Sequence, residues 1–389
     1  MRAWWMWGTV AALSLGAALH AGAQTPTPTP AADDGKVSLR REDGKTTLEF
    51  SEGSLTISNR MQFRWTQEMP EETLGGGSGG LVPSAPPTGD RGSFRIRRAK
   101  TELTGWLWSK DLQYELQLSW AGPEPGASTQ TPLEDLILAW DASKKGTFIV
   151  QAGQFKVPFG RQEHTTSSKL QFLDRDILSG EFTRGRDVGI QLSGLLSGKL
   201  EYKAGIFNGN PASRIVNEND KYQFDARATY MPFGVFKYSE ADFETTDKPL
   251  LALAVEAEHN DQHGSTNADD YRTTILGADV AFKYKGFSAF AEYFARNREP
   301  EASASFDSPG FHAQAGYFIV RNKWEVAARY AWFDPNDLIP DNDRTEIGGA
   351  MSYYIKKHLL KIQSDFRSIK DEGRDTTDQE LRVQTAVVF

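Results

Sequence analysis

Three observations predict an all-β fold, and within it a transmembrane antiparallel up-and-down β-barrel of about 16 strands. Apolar and polar residues alternate with a period of two in segment after segment, from Leu55 to Phe389. The links between these segments alternate between long and short, which sorts them onto opposite ends of one sheet. An export-type segment opens the chain, yet no later apolar run reaches the roughly 18 residues a membrane-spanning helix needs.

Composition agrees. The 389 residues include 35 Gly, 12% aromatics and no Cys, with a mean hydropathy of -0.51. That profile fits neither a helical membrane protein nor a small secreted domain held by disulfides. A formal charge of -8 excludes a strongly basic nucleic-acid binder, so no nucleic-acid partner is expected.

In chain order, residues 1–23 read as a signal peptide: Arg2, an apolar stretch from Trp4 to Leu19, and an Ala21-Gly22-Ala23 cleavage motif before Gln24. Residues 24–52 are a Pro/Thr-rich linker and periplasmic arm, beginning with the stiff TPTPTP run from Thr25 to Pro30. Residues 53–389 form the barrel. Its first strand sets Leu55, Ile57, Met61, Phe63 and Trp65 against Ser58, Arg60, Gln62 and Arg64. Later strands repeat the pattern, for instance Tyr222 to Tyr230 and Trp324 to Trp332.

A soluble sandwich also alternates, so the links carry more weight. Long links fall near residues 68–92, 121–132, 158–185, 209–221, 260–270, 297–309, 334–343 and 370–378. Short turns alternate with them, for example at Ser197-Gly198 and Lys285-Gly286; the link at 232–248 breaks the rule by being long. In lipid an open sheet would leave unpaired edge groups costing several kcal/mol each, so the sheet must close. Aromatics near strand ends, among them Trp106, Trp108, Trp120, Trp140, Tyr284 and Trp332, suit interfacial girdles.

The longest ordered-looking link, about 158–185, has neither strand nor helix periodicity and is expected to fold into the barrel and narrow it. The run GQFKVPFG from Gly153, then LQFLDRDI and RDVGIQLSG, resembles the phosphate-selective porin O and P family of outer membranes. FRIRRAK from Phe94, KYKGFSAFAEYFAR from Lys283 and KWEVAARYAWFDP from Lys323 resemble further blocks of it. The resemblance spans roughly residues 50–389. It implies a sixteen-stranded outer-membrane barrel, usually a homotrimer in outer-membrane lipid, whose third extracellular loop bends inward as a constriction. It further implies arginines and a lysine along a path for small anions such as phosphate.

Anion preference needs cationic side chains facing water, and arginine forks match phosphate oxygens. The pore-lining and anion-binding candidates are Arg60, Arg64, Arg98, Lys100, Lys156, Arg161, Arg175, Arg184, Arg186, Arg227, Arg296 and Arg329. Over all polar strand faces, however, twelve bases meet fourteen acids, and Glu163, Asp174, Asp176 and Glu181 oppose the bases of the loop. Most of these ions should pair and stiffen the wall. A preference can then arise only if bases cluster at one height, within a screening length of about 8 Å. Phe94 and Ile96 share a face with Arg98 and Lys100 unless a bulge shifts the second strand.

The function expected is a passive diffusion channel for small hydrophilic solutes with an anion (phosphate) preference, without enzymatic chemistry or cofactor. Alternatives are a non-selective general porin, a structural surface barrel, and an outer-membrane hydrolase, which would need a Ser, a His and a polar partner converging on one outward strand face, the Ser within hydrogen-bond reach of the His. The GGGSGG run at 75–80 lacks the Lys-Ser/Thr of a phosphate loop and reads as a surface loop. His259 and His263, near Asp261, Asp269 and Asp270, read as solvated loop residues, with a metal site as the alternative.

Overall fold

The computed structural model describes residues 37–70, 89–121, 132–209, 217, 220–244, 246–262 and 270–389. The expected signal peptide, the TPTPTP spacer, GGGSGG and His263 lie outside these. A hairpin of β1 (Ser38–Glu42) and β2 (Lys45–Phe50) comes first. Sixteen barrel strands follow: β3 (Gly53–Met69), β4 (Arg91–Leu107), β5 (Ser109–Ser119), β6 (Leu133–Asp141), β7 (Ile149–Lys156), β8 (Arg186–Leu196), β9 (Leu200–Phe207), β10 (Gln223–Tyr230), β11 (Leu250–Gln262), β12 (Tyr271–Tyr284), β13 (Phe287–Pro300), β14 (Phe306–Val320), β15 (Trp324–Phe333), β16 (Arg344–Lys356), β17 (Leu360–Asp371) and β18 (Thr376–Val388).

Each strand pairs antiparallel with the next, and β18 pairs with β3, from Gln379↔Met69 to Val388↔Arg60. The sheet is therefore closed and leaves no edge in lipid. The residues expected on the polar face point inward. Gln62 and Arg64 are fully buried while Met61 and Phe63 are exposed, and Glu325 and Arg329 are buried while Trp324, Val326 and Tyr330 are exposed.

The second strand does contain the bulge. Gln62 pairs with Arg98 but Phe63 pairs with Ile96, so Arg97 is the extra residue. The slip turns Phe94 and Ile96 outward, at 71% and 57% exposure, and leaves both Arg97 and Arg98 inside. Outside, Phe63 and Phe94 stack at 5.8 Å.

The hairpin, in the stretch expected only as an arm, continues the sheet. β2 pairs with residues 53–58 of β3, on the same edge that β18 pairs with further along. Gly153 in β7 marks another close approach: its φ is 129°, and a Cβ there would lie 1.9 Å from the Leu136 carbonyl oxygen.

Two links enter the barrel from opposite ends. Residues 157–185, here called L3, come from the long-loop end and carry the short helices α1 (Arg161–His164) and α2 (Ile177–Phe182). Residues 231–249, here called T4, come from the short-turn end; this is the link whose length broke the alternation. Each docks on apolar side chains of the inward face. Under L3, Val157, Phe159, Leu178 and Phe182 pack with Phe207, Ile275, Phe294 and Phe333. Under T4, Met231 and Phe236 pack with Ala252, Ala281 and Phe290, while Ala241 and Phe243 pack with Phe318 and Tyr354.

Candidate functional site

Polypeptide that leaves a sheet and crosses a lumen carries backbone N–H and C=O groups that need partners once buried. The inner wall of β11–β18, joined by Arg64 of β3, supplies them to L3. Glu256 accepts from Gly160 N (3.1 Å), Glu292 from Arg161 N and Gln162 N, Asp365 from Leu173 N (3.0 Å) and Glu346 from Ile177 N (2.9 Å). Carbonyls are met in the same way: Leu170 O by Lys361 (3.0 Å), Leu173 O by Arg64 (3.0 Å) and Asp174 O by Arg329 (3.0 Å). Asp176 caps α2 by accepting from Ser179 N at 2.9 Å.

The balanced census of bases and acids therefore misdescribes the pore, because many wall acids are spent on the loop. Arg227 pairs with Glu256 and Asp279, Arg161 with Asp279 at 2.5 Å, and Arg329 with Glu346. These groups lie behind L3, screened from the open space. Glu256, Asp279 and Glu292 stand close enough together to suggest a metal site, but their oxygens already serve Arg227, Arg161 and the L3 amides.

In front of L3 is a cavity of about 860 Å³. One wall is L3 from His164 to Arg175; the other is the inner face of β3–β9. Among the described residues, ten Lys and Arg side chains line it against five carboxylates. Counting Glu163 and Asp174 as well, which contact its bases, still leaves the bases in excess.

Of the residues expected at the pore, Arg60, Arg98, Lys100, Lys156, Arg175 and Arg186 line this cavity. The other six stand elsewhere, each for a physical reason. Arg64 is fully buried under the loop, held by Gln384 and Asp174. Arg161, Arg227 and Arg329 are held behind L3 by the carboxylates named above. Arg184 donates to Gly209 O at 2.7 Å, and Arg296 pairs with Glu181 at 2.8 Å at the long-loop end. The cavity also takes Arg97, through the bulge, with Lys169 and Lys203 and, from the hairpin, Lys45.

Many of the bases are paired. Lys100 meets Glu134 at 2.5 Å, Arg186 meets Asp135 at 2.8 Å, Arg175 meets Glu163 at 3.1 Å, and Arg60 lies 3.9 Å from Glu102. Four guanidiniums share Asp174: Arg64, Arg97 (3.1 Å), Arg98 (3.2 Å) and Arg382 (3.3 Å). Burial alone would raise the Asp174 carboxyl, but these arginines hold it well below the usual carboxylate range. Glu163 is likewise lowered: burial opposes, and Arg175 and Lys156 prevail. His164 and His358 border the cavity, and burial followed by nearby lysines and arginines pushes both well below the usual imidazole value.

Ser239 Oγ lies 3.3 Å from His358 Nε2. Among the described residues no carboxylate is hydrogen-bonded to His358, so the pair lacks the acid of a Ser-His-acid triad. His259 Nδ1 contacts Thr274 Oγ1 at 3.0 Å.

A family model described as phosphate-selective porin O and P matches residues 82–388. An uncharacterized protein of Aquifex aeolicus (strain VF5) is 24% identical over 267 residues, 60% of this chain and 62% of the relative, so the chain spans less than two thirds of that relative's length. Among solved structures, the anion-selective porin from Comamonas acidovorans gives a TM-score of 0.62 at 9% identity, covering 87% of this chain and 100% of that one. The outer membrane channel DcaP of Acinetobacter baumannii gives 0.60 at 11% identity, covering 87% and 98%. The trimer form of OmpT from Vibrio cholerae gives 0.56 at 10%, covering 87% and 100%. Likeness at these identities speaks for the fold alone, a closed antiparallel porin barrel. With the family model spanning most of a sixteen-stranded barrel whose third long loop lies in its lumen, the chain belongs to the phosphate-selective porin O and P family of outer-membrane barrels.

Proposed function

We propose that the protein is a passive diffusion channel for small hydrophilic solutes, with a moderate preference for anions such as phosphate. One observation carries this reading: the open cavity is lined by twice as many bases as acids, while many acids of the opposite wall are buried against L3. Low-dielectric walls and a screening length of about 8 Å let that local excess act without cancellation by buried acids. Ion pairs along β4–β8 soften the field, which is why the preference is moderate. No covalent step is needed. Phosphate in particular, and assembly as a homotrimer, rest on the family and on what the similar porins are called.

Reversal potentials in asymmetric KCl across planar bilayers test this. A potential of anionic sign, shifted when phosphate replaces chloride, is the expected result; a cationic sign rejects the reading. A second reading, a barrel hydrolase, is favoured only by the Ser239–His358 contact. It requires ester hydrolysis that Ser239→Ala abolishes.

A further inference from the structure

T4 is far longer than connecting β10 to β11 requires, and most turns elsewhere at that end need three residues or fewer, as between β12 and β13. Its extra length crosses the short-turn mouth. Asp242 accepts from Gly286 N at 2.8 Å, in the turn between β12 and β13. Phe243 lies edge-on to Tyr354 at 4.6 Å and to His358 at 4.6 Å. Tyr238 donates to Glu201 on β9 at 2.8 Å, and the Arg161 guanidinium sits over the rings of both Phe236 and Tyr238.

The point of contact with L3 is Glu240, only 5% exposed. Its carboxylate accepts from Gln162 Nε2 (3.1 Å), at the start of L3, and from Gln171 N (2.6 Å), in its middle. It also accepts from Gln314 Nε2 (3.0 Å) on the wall. Its own N–H donates to Lys169 O at 3.2 Å. Gln171 is tied in turn to Ser288 (2.9 Å) and Glu325 (2.6 Å). One buried anion thus joins two parts of L3 to β14. Charged-group hydrogen bonds are the strong ones, and a buried acceptor set that loses its centre leaves several orphaned donors.

We propose that T4 is a second constriction element, inserted from the periplasmic end, and that Glu240 is the positioning residue that holds the middle of L3 against the wall and so sets the width of the pore. L3 is then gripped from both ends, and the channel runs between this double septum and β3–β9. The inference rests on the channel reading for its effect on flow, but its structural core stands apart from it.

The experiment compares Glu240→Ala, Glu240→Gln and, as a control in the same turn, the exposed Glu244→Ala. Amide hydrogen exchange of the refolded chain reports on L3, and single-channel conductance reports on the pore. In Glu240→Ala the amides of 162–173 should exchange about tenfold faster while strand amides stay protected. Conductance or open-channel noise should rise about twofold. Glu240→Gln, which keeps one acceptor oxygen, should fall between, and Glu244→Ala should match the wild type. Unchanged exchange at 162–173 in Glu240→Ala overturns the proposal, as does an equal effect from Glu244→Ala. If Glu240→Ala does not refold, Glu240→Gln decides in the same way. A wild-type barrel without conductance would defeat the channel reading, while the exchange result would still decide the role of Glu240.

Discussion

Arg98 on β4 donates to Asp174 in L3 across 3.2 Å, and Arg64, Arg97 and Arg382 share the same carboxylate. Four cations around one anion leave a local positive excess beside the cavity. Asp174→Asn should raise the preference for anions. Removing one negative charge beside the path is worth on the order of 1 kcal/mol, or about fivefold in the permeability ratio. Reversal potential is the measurement, and a shift toward cations would contradict the assignment.

The same contact sets a pH window. The Asp174 carboxyl is held well below its unfolded value, burial opposing and the arginines prevailing. Its contribution to stability is then fully present above the unfolded pKa of about 3.9 and is lost only as pH falls through the lower folded value. The part of L3 protection that this contact supplies should therefore stay constant from neutral pH down to about pH 4, as amide exchange around residue 174 would report. His164 and His358, pushed down by burial and then by neighbouring cations, stay neutral through the usual imidazole range near 6.5.

Phe294 stacks on Phe159 at 5.2 Å and on Phe182 at 5.5 Å, so it joins both flanks of L3 to β13. Phe294→Ala should weaken the docking of L3 by ~3 kcal/mol. Faster proteolysis within 157–185 is the expected sign, with the barrel itself intact.

Arg227 lies between Glu256 and Asp279 with none of the three side chains exposed. Breaking a buried pair from one side costs ~3–5 kcal/mol, whereas removing all its charges is often close to neutral. Arg227→Met should lower the urea midpoint of unfolding markedly, and Arg227→Met with Glu256→Gln and Asp279→Asn should recover most of it.

The barrel was legible in the sequence because its determinants are local: alternation along each strand and the lengths of links between strands. The second strand shows the limit. Phe94 and Ile96 on the face of Arg98 signalled a bulge, but only pairing with β3 put the extra residue at Arg97. The division of the lumen was not legible, because it depends on which wall each inward side chain occupies. Arg227 and Arg186 look alike in sequence; one ends behind L3 and the other before it. A usable signal did exist. Phe207, Ile275, Phe294, Phe318, Phe333 and Tyr354 fall on the polar face of their strands, where a water-filled pore has no use for them. Those near the long-loop end mark the seat of L3, and Phe318 and Tyr354 that of T4.

The hairpin that precedes the barrel bears on how its seam closes. β2 occupies the edge of β3 up to residue 58, and Asn59 exchanges backbone hydrogen bonds with Phe389, N to O at 2.6 Å and O to N at 2.9 Å. The pairing of β18 with β3 joins residues more than 300 positions apart, the kind of contact whose loop-closure cost makes it slow to form. Replacing residues 38–50 by a flexible Gly/Ser segment should slow refolding more than it lowers final stability, as stopped-flow fluorescence of the tryptophans would report. A hairpin of near neighbours forms early, and by covering six residues of β3 it removes the registers in which the last strand could slide too far. The barrel thus carries its own end-stop, fixing the shear of a sixteen-stranded closure before the final strand arrives.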